Sequence, residues 1–169
     1  MVIMSLNSIV NGGFETSTFP PWTPYAATIT SLHSHSGSFA AELEGGQSNS
    51  NIMQVIPVVP RRRYEFFLSL SKGNPCPSPG ISISIAFYNG NFVYLGQGLT
   101  MIMLDDSLSN ICYKAWTKIC TTTEPAPPGT VQAIVFIGTV PQAGTSNVFV
   151  DDISLLPVKR DYEPFEPCY

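Results

Sequence analysis

Between residues 81 and 87 the side chains alternate: Ile81, Ile83, Ile85 and Phe87 stand at odd positions, with Ser82 and Ser84 between them. An extended backbone points successive side chains to opposite faces, so this pattern gives one apolar and one polar face only as a β-strand. Tyr64, Phe66, Leu68 and Leu70 repeat the period, separated by residues that include Glu65 and Ser69. Prolines and glycines, 15 and 13 of 169 residues, cut the chain into short runs and leave no convincing helical stretch. Further strand runs are read over 26–32, 39–43, 52–58, 92–95, 100–104, 113–123, 131–137 and 148–155. Asn89-Gly90-Asn91 reads as a hairpin turn between two of them. Residues 131–137 are apolar on both faces, which predicts a strand buried between layers. About ten short strands without a helix predict an all-β fold, a jelly-roll β-sandwich of two antiparallel sheets.

Charged residues make up 12% of the chain and hydrophobic ones 44%, a charge share about half that of an ordinary soluble domain. A surface so poor in charge belongs to a protein that contacts other surfaces. The net charge of −4 gives no case for a nucleic-acid partner, and the one basic run, Arg61-Arg62-Arg63, reads as an exposed turn. No stretch reaches the ~18 apolar residues of a membrane helix. The first residues, Met1 to Leu6, lack the basic start and small-residue cleavage site of a secretory signal.

The chain divides into residues 1–10, a short first strand or an arm; 11–156, the sandwich; and 157–169, a proline-rich tail. The tail carries Tyr162, Phe165, Cys168 and Tyr169. It is either a disordered end or an extended segment whose aromatic anchors dock on a neighbouring subunit. Cys76, Cys112, Cys120 and Cys168 contain no Cys-x-x-Cys pair, so they read as disulfide candidates or free thiols rather than zinc ligands. Three pairings are open to a fully oxidised set.

Catalysis has weak support. His33 and His35 lie in a Ser-rich turn without a nucleophile motif, and none of the acids forms a recognisable glycosidase pair. Sugar binding needs exposed aromatic platforms; Trp22, Tyr25 and Trp116 are the candidates, with Tyr88, Tyr94 and Tyr113 as further suppliers. Asn11-Gly12-Gly13-Phe14-Glu15 opens the sandwich and Val150-Asp151-Asp152-Ile153 closes it. If the first and last strands lie side by side, Glu15, Asp151 and Asp152 converge, either as a calcium site or as three solvated loop acids.

Several short motifs recur in order: the Asn-Gly-Gly-Phe-Glu opening, Pro21-Trp22, His35-Ser36-Gly37-Ser38, Gln54 before Pro57, Pro127-Pro128-Gly129-Thr130 and Val150-Asp151-Asp152-Ile153. Over residues 5–156 this set resembles the carbohydrate-binding-module-like jelly-roll domain found N-terminal to tandem-repeat, often collagen-like, regions in surface proteins of endospore-forming bacteria. The resemblance implies a structural calcium on Glu15 and Asp152, joined by Asp151, with no cofactor otherwise required. It also implies a spore-surface, extracellular setting reached without a signal peptide, by synthesis in the mother cell and release on lysis. The chain departs from the pattern in carrying a short Cys-bearing tail where such proteins continue into repeats. The expectation is therefore a non-catalytic structural subunit that assembles with itself, through β-contacts and intermolecular disulfides. Other spore-surface proteins or glycans are the remaining partners, and the alternative is a glycan-binding module.

Overall fold

The structure, a computed structural model, describes residues 7–109 and 115–158. Every regular element among them is a β-strand. In chain order these are β1 (Thr23–Tyr25), β2 (Ala27–Thr30), β3 (Ala40–Leu43), β4 (Asn51–Pro57) and β5 (Tyr64–Lys72). They continue as β6 (Ile81–Tyr88), β7 (Tyr94–Met103), β8 (Thr117–Thr122), β9 (Gln132–Thr139) and β10 (Val148–Pro157). Two five-stranded sheets result, ordered β1-β4-β9-β6-β7 and β2-β3-β10-β5-β8. Every pairing is antiparallel. The fold is a jelly-roll β-sandwich.

The period-two runs produce the core. Ile81, Ile83, Ile85 and Phe87 of β6 meet Phe66, Leu68 and Leu70 of β5 in one cluster, joined by Ile52, Ile56, Val135 and Ile137. Each fully buried Leu, Ile or Phe contributes about 1.5–3 kcal/mol relative to exposure. Trp22 belongs to this core at 2% exposure; its Nε1–H donates to the Asn11 carbonyl at 3.1 Å.

The two ends of the sandwich motif do meet. Ile153 N–H donates to the Gly12 carbonyl at 3.0 Å, and Ser8 N–H to Leu155 at 2.9 Å. A Cβ on Gly12 would sit 1.9 Å from the Ile153 oxygen, so only glycine lets the opening segment lie against β10. Gln54, buried on β4, accepts from Val10 N–H and donates to Val10 C=O. Residues 7–10 therefore lie against the sandwich, with Ile9 in the core. At the other end β10 runs on through Pro157, paired with Tyr64, and Val158 N–H reaches Arg63 C=O. Tyr162, Phe165, Cys168 and Tyr169 lie outside the described residues, as do residues 1–6, Cys112 and Tyr113.

Two strand expectations change. The runs at 92–95 and 100–104 are one strand, β7, carried through Gly96 and Gly98 by a register shift opposite Ile85 and Ala86. Gly98 is needed there, since a Cβ would meet the Phe87 ring at 2.7 Å. β9 is central in its sheet, but its second apolar face is not buried between layers. Ile134 and Phe136 are half-exposed on the outside of the sandwich.

Candidate functional site

Glu15, Asp151 and Asp152 gather around the 33–39 loop, where each carboxylate faces hydrogen donors. Asp151, fully buried, accepts His35 N–H at 2.7 Å and Ser36 N–H at 3.1 Å on Oδ2, and Asp152 N–H at 2.7 Å on Oδ1. Burial pushes its carboxyl above the usual Asp value, and these three amides pull against that rise. Asp152, at φ 52° in the irregular stretch of β10, pairs with His35 Nδ1 and accepts from Ser36 Oγ. Glu15 accepts Ser38 N–H at 2.9 Å and Phe39 N–H at 3.0 Å. Gly37, at φ +60°, leaves no room for a Cβ, which would meet Glu15 Oε1 at 2.3 Å.

Each of the three carboxylates is thus engaged by N–H or O–H donors, of the 33–39 loop or of β10 itself. Among the described residues no three His, Cys, Asp or Glu side chains are placed to hold a metal ion. The cluster is a clasp that pins the 33–39 loop across the outer face of the β2-β3-β10-β5-β8 sheet.

The aromatic candidates do not come together. Trp22 is in the core and offers no platform. Trp116 stands beside the clasp, its ring edge-on to His35 at 5.5 Å. Tyr25 is 65% exposed on β1, on the other sheet. Cys76 and Cys120 carry exposed free thiols, and Cys112 and Cys168 fall outside the described residues.

Tyr25 leads to a surface that the aromatic count alone did not reveal. Partner residues in antiparallel strands share a face, so the register lays out the outside of the β1-β4-β9-β6-β7 sheet in rows. Tyr25, Asn51, Gly138, Ser82 and Ile102 form one row; Thr23, Met53, Phe136, Ser84 and Thr100 the next. Val55, Ile134, Ala86 and Gln97 follow, then Pro57, Gln132, Tyr88 and Tyr94. Four strand spacings of about 4.8 Å make this face about 19 Å wide. None of these residues is charged.

Its aromatics stand at the middle of the sheet and at one hairpin. The Phe136 ring lies over Gly138, where a Cβ would be 2.8 Å from its Cζ. Tyr88, Tyr94 and Phe92 cluster at the β6–β7 hairpin, Tyr88 lying 5.9 Å from Tyr94 and 6.4 Å from Phe92. Amides between them are fixed by the protein. Gln97 Nε2 donates to Ser84 Oγ at 2.9 Å and Leu99 C=O at 2.6 Å, and Gln132 Nε2 to Asn89 C=O at 2.8 Å. Those bonds anchor both amides to the sheet and leave each side-chain carbonyl as an acceptor.

No protein-family model and no curated protein matches the sequence. Solved structures do match its fold. The carbohydrate-binding modules among them share this jelly-roll β-sandwich. One is a family 16 carbohydrate-binding module, with a TM-score of 0.66 and 16% identity over 89% of this chain and 99% of that one. Another is TmCBM61, solved in complex with β-1,4-galactotriose, at 0.62 and 16% over 91% of this chain and 100% of that one. The enzymatically active domain of bacteriophage CBA120 tailspike protein 4 matches at 0.70 and 13% over 90% of this chain. Of that tailspike chain the match spans only 22%.

Proposed function

We propose that this chain is a non-catalytic carbohydrate-binding domain that takes an uncharged glycan across the outer face of the β1-β4-β9-β6-β7 sheet. The observation that carries the reading is the make-up of that face: aromatic rings interleaved with anchored amides and hydroxyls, without a charge. Sugar rings present apolar C–H faces that stack on aromatics and hydroxyls that need both donors and acceptors. Phe136, Tyr94 and Tyr25 supply the rings, and Gln97, Gln132, Asn51 and Ser84 the polar contacts. The solved carbohydrate-binding modules of the same fold support this reading, including one whose ligand is a galactotriose.

Electrophoresis through gels containing soluble neutral polysaccharides (galactan, xylan, mixed-linkage glucan) tests it. The protein is retarded by at least one, and Tyr94→Ala with Phe136→Ala restores free mobility without changing the thermal midpoint by more than a few degrees. Equal mobility in every gel would sink the reading.

A second reading, a self-assembling structural subunit of a spore surface, draws on a different observation. Ile102 is 69% exposed, and Met53 and Val55 stand on the same face, an apolar area of the sort that marks protein contacts. Sedimentation velocity separates the two. Growth of the sedimentation coefficient with concentration, abolished by Ile102→Lys, supports assembly, and a monomer at all concentrations excludes it for this face.

A further inference from the structure

The opposite side of the sandwich carries a groove of about 300 Å³, walled by the end of β2 and the residues after it through His33, by β3, by the start of β10 with the turn before it, and by the segment after β5. Val148, Val150, Ala41 and Leu43 point into the core, so their neighbours Phe149 and Glu42, paired across the two strands, face outward into this groove. It therefore shares no residue with the face formed by Tyr25, Phe136 and Tyr94.

The polar groups of the groove are held in place. Asn147 Oδ1 accepts Gly45 N–H at 2.9 Å, and its Nδ2 donates to Glu42 Oε1 at 2.8 Å. Asn74 Oδ1 accepts Cys76 N–H at 2.9 Å, which leaves its Nδ2 as a donor. The His33 ring packs edge-on to Phe149 at 5.0 Å and adds an imidazole to the wall. Glu42 Oε2 accepts no hydrogen bond from a described residue. One fixed carboxylate acceptor, two anchored amides, an imidazole and an aromatic floor thus converge in a space at the small end of the ligand-pocket range, roughly 300–1,000 Å³.

We propose that this groove is a second saccharide site, one that takes a single sugar ring or chain end, with Glu42 accepting hydrogen bonds from a pair of ring hydroxyls. A hydroxyl pair is the chemistry that uses an anchored carboxylate beside amide donors, since each hydroxyl both gives and receives a bond. The lone negative charge of Glu42 disfavours acidic ligands. A groove so short takes a terminus rather than the middle of a chain, and lying on the opposite sheet it makes the domain able to hold two glycans at once.

Amide chemical-shift mapping with methyl β-D-galactoside and methyl β-D-glucoside, added to the full chain, tests the proposal. Shifts are expected at Gly73, Asn74, Thr145 and Asn147 with at least one of the two probes. Glu42→Gln, which keeps an oxygen for Asn147, weakens binding about tenfold through loss of the charged acceptor. His33→Ala weakens it too, whereas Tyr94→Ala leaves it unchanged, so the groove is read independently of the sheet face. Absence of these shifts with both sugars, or shifts indifferent to Glu42→Gln, overturns the site. Stronger shifts with butylammonium than with either glycoside also overturn it, as a simple ion-pairing acid.

Discussion

Asp151 holds the 33–39 loop to β10 through the backbone N–H groups of His35 and Ser36 and also accepts Asp152 N–H within β10, and all three would be stranded if its carboxylate were removed. Asp151→Ala is expected to cost about 2–4 kcal/mol in denaturant unfolding, the penalty for leaving buried donors without acceptors. The pH dependence runs in the less familiar direction. Burial raises the folded pKa above the ordinary 3.8, so on acidification the folded state takes up this proton before the unfolded one. The Asp151 contribution therefore grows as pH falls through the raised value towards 3.8. The stability difference between the native protein and Asp151→Asn should widen over that window, and a constant difference would contradict it. The sequence marked Glu15, Asp151 and Asp152 as partners, and they do gather around one loop. What it did not carry was the backbone N–H groups these carboxylates accept, because such groups leave no trace in residue identity.

At the level of elements, β9 has the most to say. Its second apolar face looked like burial between layers, since a half-exposed Ile134 or Phe136 is indistinguishable from a buried one in a one-dimensional pattern. Exposure is decided by what packs on the sheet, and nothing described covers this one. β7 was similarly split at Gly96-Gln97-Gly98, where the glycines mark a register irregularity rather than an end. Gly138 offers a test of the platform. A Cβ there meets only the far end of the Phe136 ring, at 2.8 Å, and the Asn51 Cβ at 3.0 Å. Gly138→Ala is expected to leave stability within about 1 kcal/mol, because the lost chain freedom offsets the crowding, while tilting the ring and lowering glycan affinity several-fold. Affinity unchanged beside an altered ring environment would show that Phe136 is no platform.

The whole molecule is a sandwich with two differently dressed outer surfaces. One sheet presents a broad, uncharged face of rings and amides; the other is partly roofed by a clasped loop and leaves a small polar groove. The alternating runs made the fold legible in advance, because period-two patterning and proline-glycine breaks leave few architectures to a chain this short of helix. The sites were less legible, since Trp22, the most obvious aromatic, went to the core, and Tyr94 and Phe136 gained their meaning only from strand register. The most direct measurement of the central claim is amide shift mapping during titration with a neutral oligosaccharide identified by gel retardation. The expected result is a contiguous set of shifts on β4, β9, β6 and β7, lost in Tyr94→Ala with Phe136→Ala. Shifts confined to other surfaces, with those four strands silent, would contradict it.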